Sequence, residues 1–287
     1  MGSRLLPAPR GTRLPGLLGP MNPPIAGWVG KRVWVVGASS GIGAALARTL
    51  QRRGARIALS ARRDDAMRAA LAGAVPPPPS DADDPTLAPV FLRLDVNDAT
   101  AVAAACQTLV ARWGAIDLVL WVAGTYQPMR AQDYQLDAAR RMVDTNLNAV
   151  FGGLAALLPM LIAQGGGGLA LVSSVAGYGG LPHALVYGPT KAALINLAEA
   201  LYLDLRPAGV GVYLVNPGYV DTPATASNAY RMPALISAGE AADATLAGIE
   251  AGRFEVHYPK RFTRWLKLAR LLPYRLYFPL VRRVTGL

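Results

Sequence analysis

The apolar residues of this chain fall into short unbroken runs that alternate with longer stretches of helical periodicity. Residues 33–36, Val-Trp-Val-Val, form a run that stops at Gly37. Ala38-Ser39-Ser40-Gly41-Ile42-Gly43 follows, and apolar positions then recur at helical spacing over 44–53. That pattern predicts strand, glycine turn and helix. Residues 56–60 predict a second strand, and 90–94, 118–122, 169–172 and 210–215 predict further buried ones. The stretches 99–113, 137–164 and 187–206 are long enough for helices. Four successive prolines at 76–79 make 76–85 a loop, because proline has no N–H to give to a helix or central strand. Gly165 to Gly168 mark a turn, and no internal repeat is visible. Repeated strand–helix units with apolar strands predict an α/β fold in which helices cover both faces of a parallel sheet.

Composition adds limits. The 287 residues admit one large domain or two small ones. Cys106 is the single cysteine, which excludes an intrachain disulfide framework and a Cys-rich zinc site and points to a reducing, cytoplasmic compartment. The net charge of +11 is unevenly spread, with +5 over residues 1–32, −2 over 33–252 and +8 over 253–287. The basic character belongs to the ends, so a nucleic-acid face on the main domain is not expected. No segment reads as a membrane span: the most apolar tail stretch, 268–281, is interrupted by Arg270, Pro273, Arg275 and Pro279. Residues 1–24 lack the apolar core of a secretory signal. The chain is expected to divide into a flexible leader at 1–30, a main domain at 31–252 and a basic tail at 253–287. Residues 1–20 are either part of that leader or a misassigned start before Met21.

Chemistry enters at the first glycine cluster. Gly37, Gly41 and Gly43 lie where the first strand meets the first helix; glycine permits positive φ there, and the helix N-terminus offers N–H groups to a phosphate. The second strand ends at Arg62-Arg63, where a dinucleotide fold holds the adenosine ribose; arginine suits a 2′-phosphate, which favours NADP(H) over NAD(H). The alternative is two solvated surface arginines. Tyr187-Gly188-Pro189-Thr190-Lys191 opens a predicted helix and sets Tyr187 and Lys191 on one face. A phenol is a poor acid–base group at neutral pH, and a nearby ammonium favours its phenolate. His183 and His257 are far apart in sequence, so no histidine metal site is expected, and His183 reads as a cleft-lining or surface residue.

In their order and spacing these landmarks resemble the short-chain dehydrogenase/reductase family, from about Lys31 to Gly252. The match rests on the glycine turn, Asp95-Val96, Asn146 within Asp144-Thr145-Asn146-Leu147, Ser173-Ser174, Tyr187 with Lys191, and Asn216-Pro217-Gly218. The resemblance implies a single Rossmann-type domain with a doubly wound parallel sheet of about seven strands. It implies hydride transfer between a nicotinamide and a carbonyl or secondary alcohol, with Asn146, Ser174, Tyr187 and Lys191 as the catalytic set. Ser174 would bond the substrate oxygen, Tyr187 would move its proton, Lys191 would hold the nicotinamide ribose, and Asn146 would anchor a relay water. The implied cofactor site comprises Gly37, Ser39, Ser40, Gly41, Ile42, Gly43, Arg62, Arg63, Asp95, Val96, Ala123, Gly124, Tyr187, Lys191, Pro217, Gly218, Val220 and Thr222, without a metal. Homodimers or homotetramers are implied through the long helices.

The chain departs from the family at Trp121-Val122-Ala123-Gly124, where Asn-Asn-Ala-Gly is usual; Ala123 and Gly124 keep the close backbone approach, but the bracing side chains are apolar. Residues 223–238 occupy the place of the family's substrate lid, and Ala224, Ala226, Tyr230, Met232, Pro233, Leu235 and Ile236 around Arg231 favour an apolar or lipid-like substrate. In the tail, Arg261, Arg264, Lys267 and Arg270 recur every three residues beside Trp265, Leu268 and Leu272. Such a segment either lies on an anionic membrane at the inner face through 260–283, or packs on its own domain or a second subunit. The competing functional class is a dinucleotide-binding regulator or scaffold without turnover.

Overall fold

Strand β1 (Arg32–Val36) leads through the glycine turn into helix α1 (Gly41–Arg52), and the unit repeats as β2 (Arg56–Ala61), α2 (Asp64–Leu71), β3 (Val90–Arg93), α3 (Ala99–Trp113) and β4 (Leu118–Trp121). A long helical segment made of α4 (Leu136–Val143) and α5 (Ala149–Gln164) precedes β5 (Gly168–Val172), α6 (Tyr187–Leu205) and β6 (Gly211–Pro217). The short strands β7 (Val220–Asp221) and β8 (Ile236–Ser237), helix α7 (Ala238–Glu250), strand β9 (Glu255–Tyr258) and helices α8 (Lys260–Arg270) and α9 (Tyr274–Thr285) complete the chain. The computed structural model describes residues 19–73, 88–226, 228 and 232–286. The proline loop 76–85, residues 1–18 of the leader, and Tyr230 and Arg231 of the lid lie outside the described residues.

Seven strands pair in the order β3-β2-β1-β4-β5-β6-β9, all parallel. The doubly wound α/β sheet expected from the sequence is present, and its order reverses between β1 and β4. Connections leave in opposite directions at such a point, so a crevice opens at the carboxyl ends of the strands. One face of the sheet buries Trp34, Val119 and Leu171 against α3, α5 and α6. The other buries Val33, Val35 and Leu120 against α1 and α7. Each such side chain contributes roughly 1.5–3 kcal/mol by leaving water, so strands apolar on both faces are driven to the centre.

Three sequence expectations change. First, the sheet does not end at residue 252: β9 pairs with β6, and Val256 and Tyr258 are buried. Glu255-Val256-His257-Tyr258 alternates polar and apolar positions, as an edge strand does, and so lacks the continuous apolar run that marks the other strands. Second, the leader 1–30 is built into the domain from Asn22 onward. The Asn22 carboxamide donates to the Val212 carbonyl at 2.8 Å and accepts from the Val212 N–H at 2.9 Å, while Trp28 is buried and its indole N–H reaches Glu250. Third, the 29-residue segment Leu136–Gln164 is, by length and composition, apolar enough to cross a membrane. It is nevertheless a core helix, with Val150, Leu154, Leu157 and Leu161 packed on the sheet. A π-helical turn at Asp144–Asn148 joins its two parts.

Candidate active site

The glycine turn is shaped by crowding as much as by backbone freedom. A Cβ on Gly37, where φ is +93°, would lie 2.5 Å from the Ala123 nitrogen; one on Gly43 would lie 2.2 Å from the Gly37 carbonyl oxygen. These two glycines let the turn sit against the end of β4 and let α1 follow it directly. Gly41, at φ +54°, opens α1 beside Thr222. Ser40 precedes it in extended conformation, and its side chain does not cap the helix. The first N–H groups of a helix have no intrahelical acceptor. Here they edge the cleft at the positive end of the helix dipole, a setting that fits a pair of phosphates.

The cleft has a volume of about 1690 Å³ and runs from this turn along the strand ends. Arg62, Arg63, Asp95 and Val96 line one end; Ala123, Gly124, Ser174, Tyr187 and Lys191 line the middle; Pro217, Gly218, Val220 and Thr222 line the β6 side. Every expected cofactor residue reaches this one cleft, and His183 lines it too. Thr225 ties the β6 side together, donating its hydroxyl to the Val220 carbonyl at 2.7 Å and accepting from the Thr222 N–H at 3.1 Å.

At its centre, β5 and α6 deliver the polar set. Ser174 caps a short turn, accepting from the Ala176 N–H at 3.1 Å, and its hydroxyl faces the Pro217 carbonyl at 3.4 Å. The neighbouring Ser173 also borders the cleft, but its hydroxyl donates to the Lys191 carbonyl at 2.7 Å, which pins α6 to the strand. Lys191 is buried; its ammonium donates to the Val172 carbonyl at 3.0 Å and lies 5.6 Å from the centre of the Tyr187 ring. Burial away from water disfavours the charged form and lowers its pKa to about 8. Tyr126 packs edge-on against Tyr187, with ring centres 4.8 Å apart.

Asn146 behaves differently from the other three. It is fully buried in the π turn and does not line the cleft. Its carboxamide oxygen accepts from the Thr125 N–H at 2.7 Å, and its nitrogen donates to the Thr125 carbonyl at 2.9 Å and to the Thr190 hydroxyl at 3.2 Å. A Cβ on Gly124 would come within 3.2 Å of that carboxamide and 3.4 Å of the Lys191 ammonium. Gly124 therefore brings both groups up to the backbone after β4. Thr190, buried and donating to the Tyr187 carbonyl at 2.8 Å, links Asn146 to α6 and was not singled out from the sequence. Only its place inside Tyr-x-x-x-Lys hinted at it. Trp121, which replaces a bracing asparagine, is core: Gly153 on α5 makes room for its ring, since a Cβ there would lie 2.3 Å from the indole.

A family model described as short chain dehydrogenase matches residues 31–232. The chain belongs to the short-chain dehydrogenase family. An oxidoreductase of Myxococcus xanthus is 35% identical over 250 residues, 87% of this chain and 96% of its own. One of Mycobacterium tuberculosis is 31% identical over 252 residues, 86% and 95% of the two chains. Among solved structures, a Burkholderia cenocepacia short-chain dehydrogenase in complex with NADP superposes with TM-score 0.74 at 25% identity, covering 89% of this chain and 98% of its own. A Sphingobium yanoikuyae short-chain dehydrogenase in complex with NADPH gives 0.71 at 27%, covering 83% and 92%. This family member is accordingly an NAD(P)-dependent oxidoreductase. Its tail departs from a simple appendage: Phe262, Trp265, Leu266 and Ala269 of α8 and Tyr277, Leu280 and Val281 of α9 help to wall the cleft.

A second polar cluster adjoins that wall, and its Tyr178 lines the cleft as well. Glu255 on β9 accepts from the Tyr178 hydroxyl at 2.5 Å, from the Asn216 amide at 2.9 Å and from the Lys267 ammonium of α8. Burial alone would raise the Glu255 pKa, but these three donors outweigh it and hold the carboxylate below its ordinary range. Burial, and then the adjacent carboxylate, push the Tyr178 phenol well upward. The cluster fastens α8 to the sheet.

Proposed function

We propose that this chain is an NADP(H)-dependent reductase or dehydrogenase acting on the C=O or CH–OH group of an apolar, lipid-like molecule. The observation that carries the reading is that one cleft brings together Ser174, Tyr187 and Lys191 with the glycine turn and Arg62-Arg63. The turn and the α1 terminus would hold the phosphates, and Arg62 and Arg63 would meet a 2′-phosphate. The NADP and NADPH complexes of the two similar structures support that preference. When bound, the nicotinamide supplies or receives the hydride.

The protein's part is to handle the oxygen. Negative charge grows there as a carbonyl is reduced, so donors placed at that oxygen stabilise the transition state more than the ground state. The Ser174 and Tyr187 hydroxyls are those donors, and Tyr187 passes its proton to the oxygen. Lys191 contributes a positive charge next to the phenol and a donor for the ribose. Asn146, its side chain engaged with Thr125 and Thr190, acts by positioning this group. The apolar wall from α8 and α9 supports a substrate with a hydrophobic body. Exposed Phe151 and Ile162 on α5 and Leu203 on α6 support a homodimer or homotetramer through those helices.

The test is turnover of NADPH with a panel of medium- and long-chain ketones and aldehydes. Wild type should consume NADPH, and Tyr187→Phe should lower kcat by about 10²–10⁴-fold while NADPH still binds. Tight NADPH binding with no turnover across the panel would instead favour the non-catalytic regulator.

A further inference from the structure

Helices α8 and α9 are joined to the domain by few buried residues. Thr263 is the one buried residue of α8, and Tyr277, whose hydroxyl donates to the Gly180 carbonyl at 2.9 Å, is the one buried residue of α9. Around these anchors many apolar residues are exposed: Leu271 is 79% exposed, Tyr274 75% and Trp265, at the rim of the cleft, 71%, with Leu268, Leu276 and Phe278 also more than half exposed. Cations are interleaved with them. Residues 253–287 contain nine Lys and Arg and one acid, and that acid, Glu255, is half-buried and engaged by Tyr178, Asn216 and Lys267. The outer surface of α8 and α9 thus combines exposed aromatic and aliphatic side chains with Arg264, Arg275 and Arg283; neither helix contains an acid, and Glu240 of α7 lies near Arg261.

We propose that the α8–α9 segment docks on an anionic lipid bilayer and that the substrate enters the cleft from that bilayer. Helices with an apolar side, basic flanks and Trp and Tyr at the boundary are suited to lie in the headgroup region, rings at the interface and guanidinium groups on phosphates. A second copy of the chain is a poorer occupant, because two such faces would bring like charges together. The entry route follows from a shared wall. Leu266, Leu280 and Val281 face the cleft while neighbours on the same helices face outward, so a molecule leaving the acyl region meets the cleft without crossing water. This second half rests on the reading of the cleft as the substrate site; docking itself does not.

The experiment uses the full chain with NADPH and two kinds of vesicle, phosphatidylcholine alone and phosphatidylcholine with phosphatidylserine. Sedimentation should favour the anionic vesicles by about tenfold or more and decline as salt is raised. Two variants of residues outside the cleft, Leu268→Ser/Leu271→Ser/Phe278→Ser and Arg264→Glu/Arg275→Glu, should each lose that binding. Both should keep the wild-type rate on a short water-soluble ketone and lose rate on a long-chain ketone delivered in vesicles. Equal sedimentation of wild type and variants would overturn the docking, as would a shift from dimer to monomer in the variants without any vesicle binding by wild type. Vesicle binding with no turnover of any substrate would leave the docking standing and remove the entry route together with the hydride-transfer reading. Binding with equal losses on both ketones would remove the entry route alone.

Discussion

Lys191 is the residue at which burial and charge conflict most directly. With its pKa lowered to about 8 in the fold against about 10.4 in an unfolded chain, the native state binds fewer protons than the unfolded state between those values. Stability contributed at this site therefore rises as pH increases from about 8 toward 10, while the positive charge available to the cleft is lost over the same interval. Urea unfolding of wild type and Lys191→Met at pH 7.5 and 9.5, both values chosen about this pKa, should show wild type gaining relative to the variant at the higher pH. NADPH affinity of the free wild-type enzyme should fall over the same step. Thr190 offers a second check. Thr190→Val keeps the shape but leaves the Asn146 amide and the Tyr187 carbonyl each without one partner, at a cost of about 1–3 kcal/mol in denaturant unfolding. Because Asn146 and Tyr187 are then less well held, kcat should fall more than KM changes.

At the scale of elements, glycines are informative where they face another element. Within α5, replacing Gly153 by alanine would gain about 1 kcal/mol of helix propensity. The new methyl would, however, stand 2.3 Å from the Trp121 indole, and overpacking of that kind costs roughly 1–3 kcal/mol. The clash should win, so Gly153→Ala is expected to lower Tm, and Trp121→Leu in the same chain should recover part of the loss. The helix, strand and turn assignments along β1 to β6 were legible because each depends on the nearest few residues: an unbroken apolar run, a glycine, a 3.6-residue period. The π turn at Asp144–Asn148 was not, since nothing in its composition separates it from ordinary helix; it is set by Asn146 reaching Thr125 and Thr190 on other elements.

For the whole molecule, the ends are part of the domain. A chain stopped after Gly252 loses β9 and with it the bonds from Leu214 N–H to the Phe254 carbonyl and from Gly218 N–H to the Tyr258 carbonyl, and exposes the edge of β6. Such an edge is prone to pair with other chains, so this truncation should be insoluble or broadly unfolded by circular dichroism. A chain stopped after Pro259 keeps the seven strands and should unfold cooperatively. At the other end, Asn22→Ala leaves the buried N–H and carbonyl of Val212 without partners and should cost about 2–4 kcal/mol in denaturant unfolding.

The local pattern of the chain already contained the parallel α/β plan, the glycine turn and the Tyr187–Lys191 face, because strand, turn and helix spacing are properties of neighbouring residues. What only tertiary structure decided was which distant groups meet. Asn22 meets Val212 across 190 residues and Glu255 meets Tyr178 across 77, and in neither case does a periodicity announce the pairing. The net charge divided the same way. Its concentration at the C-terminal end was visible in the sequence, whereas the folding of that end into one wall of the cleft followed from packing, in which Tyr277 and Lys267 find partners far back along the chain.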